Sequence, residues 1–133
     1  LGSPQMSFIP AVLSRSASGD AVRLRDGGAV LPLPRGRQVN GARDGAEVIL
    51  GLRPEHMSRA TGTAPEQGMA RVDAEIELLQ PTGSRTFATF RLGGRAVLAE
   101  LEAHDVRQPG DRIPIDINLN RASLFDAGTE RAI

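Results

Sequence analysis

The sequence predicts an all-β chain, a small barrel or sandwich with little helix. Three observations point there. Apolar residues recur at every second position through most of the chain, the period of a half-buried strand. Turn signals such as Asp26-Gly27-Gly28 and Gly93-Gly94 punctuate those runs at short intervals. Only residues 4–9 and 103–107 could hold as much as a turn of helix. Short strands joined by Gly/Pro turns fit a barrel or a sandwich equally well.

Each element has its own warrant. Residues 10–14 read as a first strand, and Ser18-Gly19-Asp20 turns the chain. In 21–25, Val22 and Leu24 share one face while Arg23 and Arg25 take the other. Residues 29–33 form a third strand, expected at a sheet edge because Pro32 and Pro34 interrupt the row of backbone donors. In 47–53, Val48, Leu50 and Leu52 line one face. Residues 58–68 are rich in Ser, Thr, Gly and Pro without period, and read as a flexible connector between sub-units of about 1–57 and 69–133. In 71–79, Val72, Ala74, Ile76 and Leu78 alternate with Asp73, Glu75 and Glu77. Pro81-Thr82-Gly83 is a turn, and Gly93-Gly94 joins strands at 85–92 and 95–101 as a two-residue hairpin. After a turn at Pro109-Gly110-Asp111, Ile113, Ile115, Ile117 and Leu119 mark another strand, and 122–125 closes the series.

Composition removes whole classes of chemistry. A chain of 133 residues fits one domain. With 40% apolar residues but four Phe, no Trp and no Tyr, its core must be aliphatic. Each buried Val, Leu or Ile then contributes about 1.5–3 kcal/mol. All sixteen basic residues are arginine. Without lysine there is no phosphate-binding P-loop and no Schiff base. Without cysteine there are no disulfides, thiol nucleophiles or thiolate metal sites. Zero net charge, scattered arginines and few aromatics argue against a nucleic-acid groove. No apolar run approaches the roughly 18 residues of a membrane span.

The remaining polar constellations have plain structural readings. His56 and His104 each adjoin an acid, Glu55 and Asp105, but lie far apart with no third histidine. Zinc needs three or four converging ligands, so both read as surface or loop histidines. Asp73, Glu75 and Glu77, and likewise Glu100 and Glu102, could suggest paired catalytic carboxylates. A solvated sheet face with cross-strand arginines such as Arg85 or Arg91 explains them better. Ser14, Ser16 and Ser18 lack the glycine context of a nucleophile elbow. Phe87 and Phe90 have opposite parity, so only one can face the core and the other is exposed or partner-covered.

Gly51-Leu52-Arg53-Pro54-Glu55-His56 is the most specific stretch. Pro54 biases Arg53 to an extended backbone and ends the strand. Arg53 and Glu55 could pair on one face and pin that end, or Arg53, Glu55 or His56 could meet a partner. Two further stretches accompany it: Gly2-Ser3-Pro4-Gln5-Met6-Ser7-Phe8 near the start, and Leu124-Phe125-Asp126 with Gly128 and Arg131 near the end. In their order along the chain the three resemble the TOBE, or OB-like, C-terminal regulatory domain of the ATPase subunits of bacterial ABC importers of the maltose, sugar, polyol and glycerol-phosphate type. Ser7 stands where that family usually has Asn. Pro81-Thr82-Gly83 resembles a further family stretch tied to barrel architecture.

The resemblance implies an OB-like barrel with an appended β subdomain. It implies that an ATPase domain, with its ATP and Mg, lies N-terminal to Leu1, so that this part has no catalytic, cofactor-binding or metal residues of its own. It further implies a homodimer, with two such domains holding ATPase subunits together, permease subunits reached through the ATPase domain, possible regulatory proteins, and a cytoplasmic place peripheral to the inner membrane. A different class of function is small-ligand binding, because some TOBE domains hold oxyanions such as molybdate. A stand-alone enzyme has no assembled motif to support it.

Overall fold

The computed structural model describes residues 6–133. Eleven antiparallel strands form three sheets around one core. The first five in sequence are β1 (Ser7–Ser16), β2 (Gly19–Leu24), β3 (Val30–Pro32), β4 (Glu47–Leu52) and β5 (Met57–Arg59). Then follow β6 (Met69–Glu75), β7 (Leu78–Thr82), β8 (Arg85–Leu92), β9 (Arg95–Glu102), β10 (Arg112–Asn118) and β11 (Ser123–Asp126). The first sheet runs β11-β4-β1-β2-β3, the second β5-β10-β6 and the third β7-β8-β9.

Alternation decides what is buried. Ile9, Ala11 and Leu13 of β1, Val22 and Leu24 of β2, and Val48, Leu50 and Leu52 of β4 turn inward. Ile113, Ile115 and Ile117 of β10 and Phe90 and Leu92 of β8 meet them from the other sheets. The core is aliphatic, as composition requires, and β3 lies at an edge, as its prolines require.

Two prolines nevertheless sit inside central strands, and each marks where one neighbour ends. A residue's N–H and C=O point to the same side of a strand. The Pro10 carbonyl accepts from Arg25 N–H at 3.1 Å, so its missing donor faces the end of β2. The Pro114 carbonyl accepts from Ala60 N–H at 2.9 Å, just past the end of β5. Neither proline costs a ladder bond on its fully paired side.

Several expectations need correction. Residues 7–9, counted within a possible helical turn at 4–9, are strand paired to β4; Gly2, Ser3 and Pro4 lie outside the described residues. The alternating run 71–79 is two strands in different sheets. At its break, Ile76 donates to the Asp111 carbonyl and Glu77 to the Thr89 carbonyl, both at 2.8 Å. The change of sheet resets the facing, so Ile76 is buried whereas Leu78 is 62% exposed. Pro81 and Thr82 belong to β7, and the turn is made by Gly83 and Ser84. The connector 58–68 begins as strand, because β5 pairs with β10.

The division into sub-units of 1–57 and 69–133 does not follow the sheets either. β11 pairs with β4 in the register Leu124↔Leu50 and Phe125↔Ile49, so the end of the chain completes the first sheet. Residues 103–107 do hold a single 3-10 turn, at Ala103–Asp105.

Arginines fasten the irregular segments. Arg71 grips Asp116 through Nε at 2.9 Å and Nη2 at 3.2 Å, and donates to the carbonyls of Thr61 and Gly62. Arg15 donates to the carbonyls of Val39 and Ala42 in the long 33–46 segment. Arg37, from that segment, reaches the carbonyls of Leu119 and Ala122. These bonds satisfy backbone acceptors that no ladder reaches.

The Gly93-Gly94 turn joins β8 to β9 with φ of 58° and 77°. Its tip lies against the first sheet. A Cβ on Gly93 would come within 2.7 Å of Ile9 Cγ2. Gly83 has a similar φ of 80° but open space around it. Gly93→Ala should therefore cost about 2–4 kcal/mol in urea denaturation, about 1 from backbone and about 1–3 from overpacking. Gly83→Ala should cost only the backbone part, about 1 kcal/mol. Equal losses would mean the hairpin tip does not bear on the first sheet.

Candidate interaction surface

The outer face of the first sheet is built from both ends of the chain. β1 turns Phe8 and Pro10 outward, β4 turns Ile49 and Gly51, and β11 turns Phe125. Register places Pro10, Ile49 and Phe125 in one row across three strands. The neighbouring row is Phe8, Gly51 and Ser123. Gly51 leaves a gap there, and its neighbours fill it. A Cβ at Gly51 would stand 2.3 Å from Met6 Sδ and 3.1 Å from Phe125 Cε2. Its glycine is thus required for close approach rather than for backbone conformation. The rings of Phe8 and Phe125 meet edge to face, with centroids 5.9 Å apart.

These residues line a shallow depression of about 450 Å³ whose rim carries Arg95 and Glu130. Phe8 remains 52% exposed. Phe125 beside it is half-buried.

Three stretches far apart in sequence therefore contribute to one place: Met6 and Phe8 from the first, Gly51 from the second, Phe125 from the third. Leu124 and Leu52 anchor it from beneath in the core. Asp126 holds its far end. Its Oδ1 accepts from Gly128 N–H at 2.8 Å and Thr129 N–H at 2.9 Å, which closes the turn that carries Glu130. Those two donors hold the carboxyl below its ordinary value. Pro81, Thr82 and Gly83 lie in the third sheet, in a hairpin that this face does not use.

The Arg53-Pro54-Glu55-His56 turn is pinned differently from expectation. No ion pair joins Arg53 to Glu55 among the described residues. Instead Arg53 N–H donates to His56 Nδ1 at 3.1 Å, and His56 N–H returns to the Arg53 carbonyl at 2.9 Å. His56, expected at the surface or in a loop, lies in the turn but is only 7% exposed, whereas His104 is exposed. Burial lowers the His56 pKa, Glu55 raises it, and Arg121 and Arg53 lower it further. No cluster of three or more acidic or imidazole side chains among the described residues could hold a metal ion.

The carboxylate rows are sheet-surface ion pairs. Arg85 pairs with Glu100 and Glu102, and Arg91 with Glu77. Arg112 pairs with Asp73 and Glu75, a partner the linear pattern did not single out. Phe90 is the buried member of its pair and Phe87 the half-buried one. No helix among the described residues is long and apolar enough to cross a membrane.

Asp126→Ala should lower the melting temperature at neutral pH. The depressed folded-state pKa means that this stabilisation is present above the ordinary carboxyl value of 3.8 and is lost as pH falls through the folded value. The gap between variant and native melting temperatures should therefore close under acid. A gap that stays constant down to strongly acidic pH would disprove the role of the carboxylate.

Comparison with known proteins agrees with this architecture. The MalK OB fold domain model matches residues 2–57, and the TOBE domain model matches residues 50–125. An sn-glycerol-3-phosphate import ATP-binding protein of Chromobacterium violaceum is 37% identical over 100% of this chain and 33% of its own length. A sulfoquinovosyl glycerol transport ATP-binding protein of Agrobacterium fabrum is 31% identical over 100% of this chain and 35% of its own. The chain thus spans about a third of the length of these relatives. Among solved structures, the cytoplasmic molybdate-binding protein ModG shares the fold, with a TM-score of 0.62 at 16% identity over 89% of this chain and 94% of that one. An all-β, OB-like architecture and a TOBE match over more than half its residues place this chain in the TOBE domain family.

Proposed function

We propose that this chain is the regulatory and dimerisation module of the ATP-binding subunit of a carbohydrate-type ABC importer, and that it works by docking its Phe8–Phe125 face on the same face of a second copy. One observation carries this reading: an exposed apolar patch, assembled from both ends of the chain, with one cation and one carboxylate on its rim. Docking in which Arg95 of each copy meets Glu130 of the other would give the self-complementarity that an isologous interface needs. The names of the relatives support the transporter context.

In that setting the module raises the effective concentration of two ATPase domains for each other. Regulatory proteins that bind it can bias the open or closed state. Permease subunits are reached through the ATPase domain, at the cytoplasmic side of the inner membrane. Sugars, polyols and glycerol phosphate all fit as cargo, since nothing in this domain selects among them.

A second reading, oxyanion binding, draws support from the fold shared with a molybdate-binding protein. An open polar cleft lined by Ser14, Ser16, Ser18, Arg35 and Arg37 is where donors gather. A rise in melting temperature with molybdate, tungstate or sulfate would favour that reading.

Sedimentation velocity should find the chain at twice its 14.1 kDa mass at high concentration. Phe125→Arg should raise the dimer dissociation constant about thirtyfold, the effect of removing an aromatic anchor worth about 2 kcal/mol. Arg95→Glu should weaken the dimer, and adding Glu130→Arg should restore it. A monomer at every concentration, or variants that leave association unchanged, would reject this face as the interface. ATP hydrolysis by this chain alone would reject the assignment as a whole.

A further inference from the structure

The chain passes from the first sheet to the second through Arg53-Pro54-Glu55-His56, between the end of β4 and the start of β5. Backbone and side chain close this joint reciprocally, and the acceptor for Arg53 N–H is an imidazole nitrogen. That acceptor exists only while Nδ1 carries no proton, which fixes the neutral ring with its proton on Nε2. A proton on Nδ1 would set two donors against each other.

The surroundings give a protonated ring little help. Arg53 precedes it, Arg121 acts on it from the β10–β11 turn, and among the described residues Glu55 is the carboxylate that acts on it. β9 packs against the joint and turns Val97, Ala99 and Leu101 inward. Of the charged residues of β9, Glu100 and Glu102 pair with Arg85, and Arg95 lines the apolar face. Met57, which opens β5, is buried beside the joint.

We propose that the Arg53–His56 turn is a proton-responsive joint: protonation of His56 releases the Arg53 amide and loosens the link between the first and second sheets. The turn after β9 closes in the same way with a carboxylate in place of the imidazole: Glu102 N–H donates to Asp105 Oδ2 at 2.9 Å. The sign follows from burial. The folded-state pKa of His56 lies below the ordinary imidazole value of 6.5, so its contribution is present above that pH and is lost as pH falls below it.

The test is amide hydrogen exchange on the intact chain, corrected for intrinsic rates, between about pH 8 and about pH 5. Protection of the Arg53 amide should fall about tenfold at the acid end, while protection of the Glu102 amide should hold. In His56→Asn, whose side-chain oxygen can take the place of Nδ1 without titrating, Arg53 protection should not change with pH. Imidazole nitrogen shifts provide a readout that needs no variant. His56 should titrate below the ordinary imidazole value of 6.5, and the loss of Arg53 protection should track that titration. Unchanged Arg53 protection while His56 titrates, or a pH response that persists in His56→Asn, would overturn the proposal.

Discussion

The pairing of β11 with β4 is the constraint on which the rest depends. β4 sits between β1 and β11, so the first sheet cannot be completed until nearly the whole chain has been laid down. Closing so long a loop costs entropy, though the cost grows only slowly with its length. It is offset by burying Leu124 against Leu50 and by the ladder of bonds between the strands. The exposed aromatic face is the other side of that same pairing. Without β11 there is no Phe125, no Asp126 turn and no Glu130 at the rim.

The fold closes its turns by three different means, each suited to its place. Glycines take positive φ where a hairpin tip is tight, and at Gly93 where it must also press on another sheet. A carboxylate accepts from backbone N–H groups at Asp126 and at Asp105, both only partly buried. A neutral imidazole does so at His56, inside. The difference follows from solvation, since burying a carboxylate without a counter-charge costs far more than burying an uncharged ring.

Electrostatics here are local and mostly superficial. The Arg85, Arg91 and Arg112 pairs lie on solvated sheet faces, where each contributes little. Arg71 with Asp116 is the exception. The pair is mostly shielded, forked, and tied to the backbone of the 60–68 segment. Losing one partner would leave the other charge nearly buried, so this pair matters for order more than the surface pairs do.

Much of the architecture was legible in the residues. The alternation in 21–25, 47–53 and 113–119 named the inward faces correctly, and Gly93-Gly94 named its hairpin, because both are properties of a few adjacent residues. The three family stretches pointed to the right fold, yet nothing in them revealed that Met6, Gly51 and Phe125 meet. The run 71–79 reads as one strand because alternation does not register a change of sheet; only the backbone bonds of Ile76 and Glu77 do. His56 reads as a surface or loop residue, and its burial could not be read locally because β9, distant in sequence, packs against its turn. By itself the sequence determined most of the strands, several of the turns and the aliphatic core. Tertiary structure alone decided which strands share a sheet, which apolar residues stay open to water and which histidine is shielded from it, because each depends on partners that local periodicity does not encode.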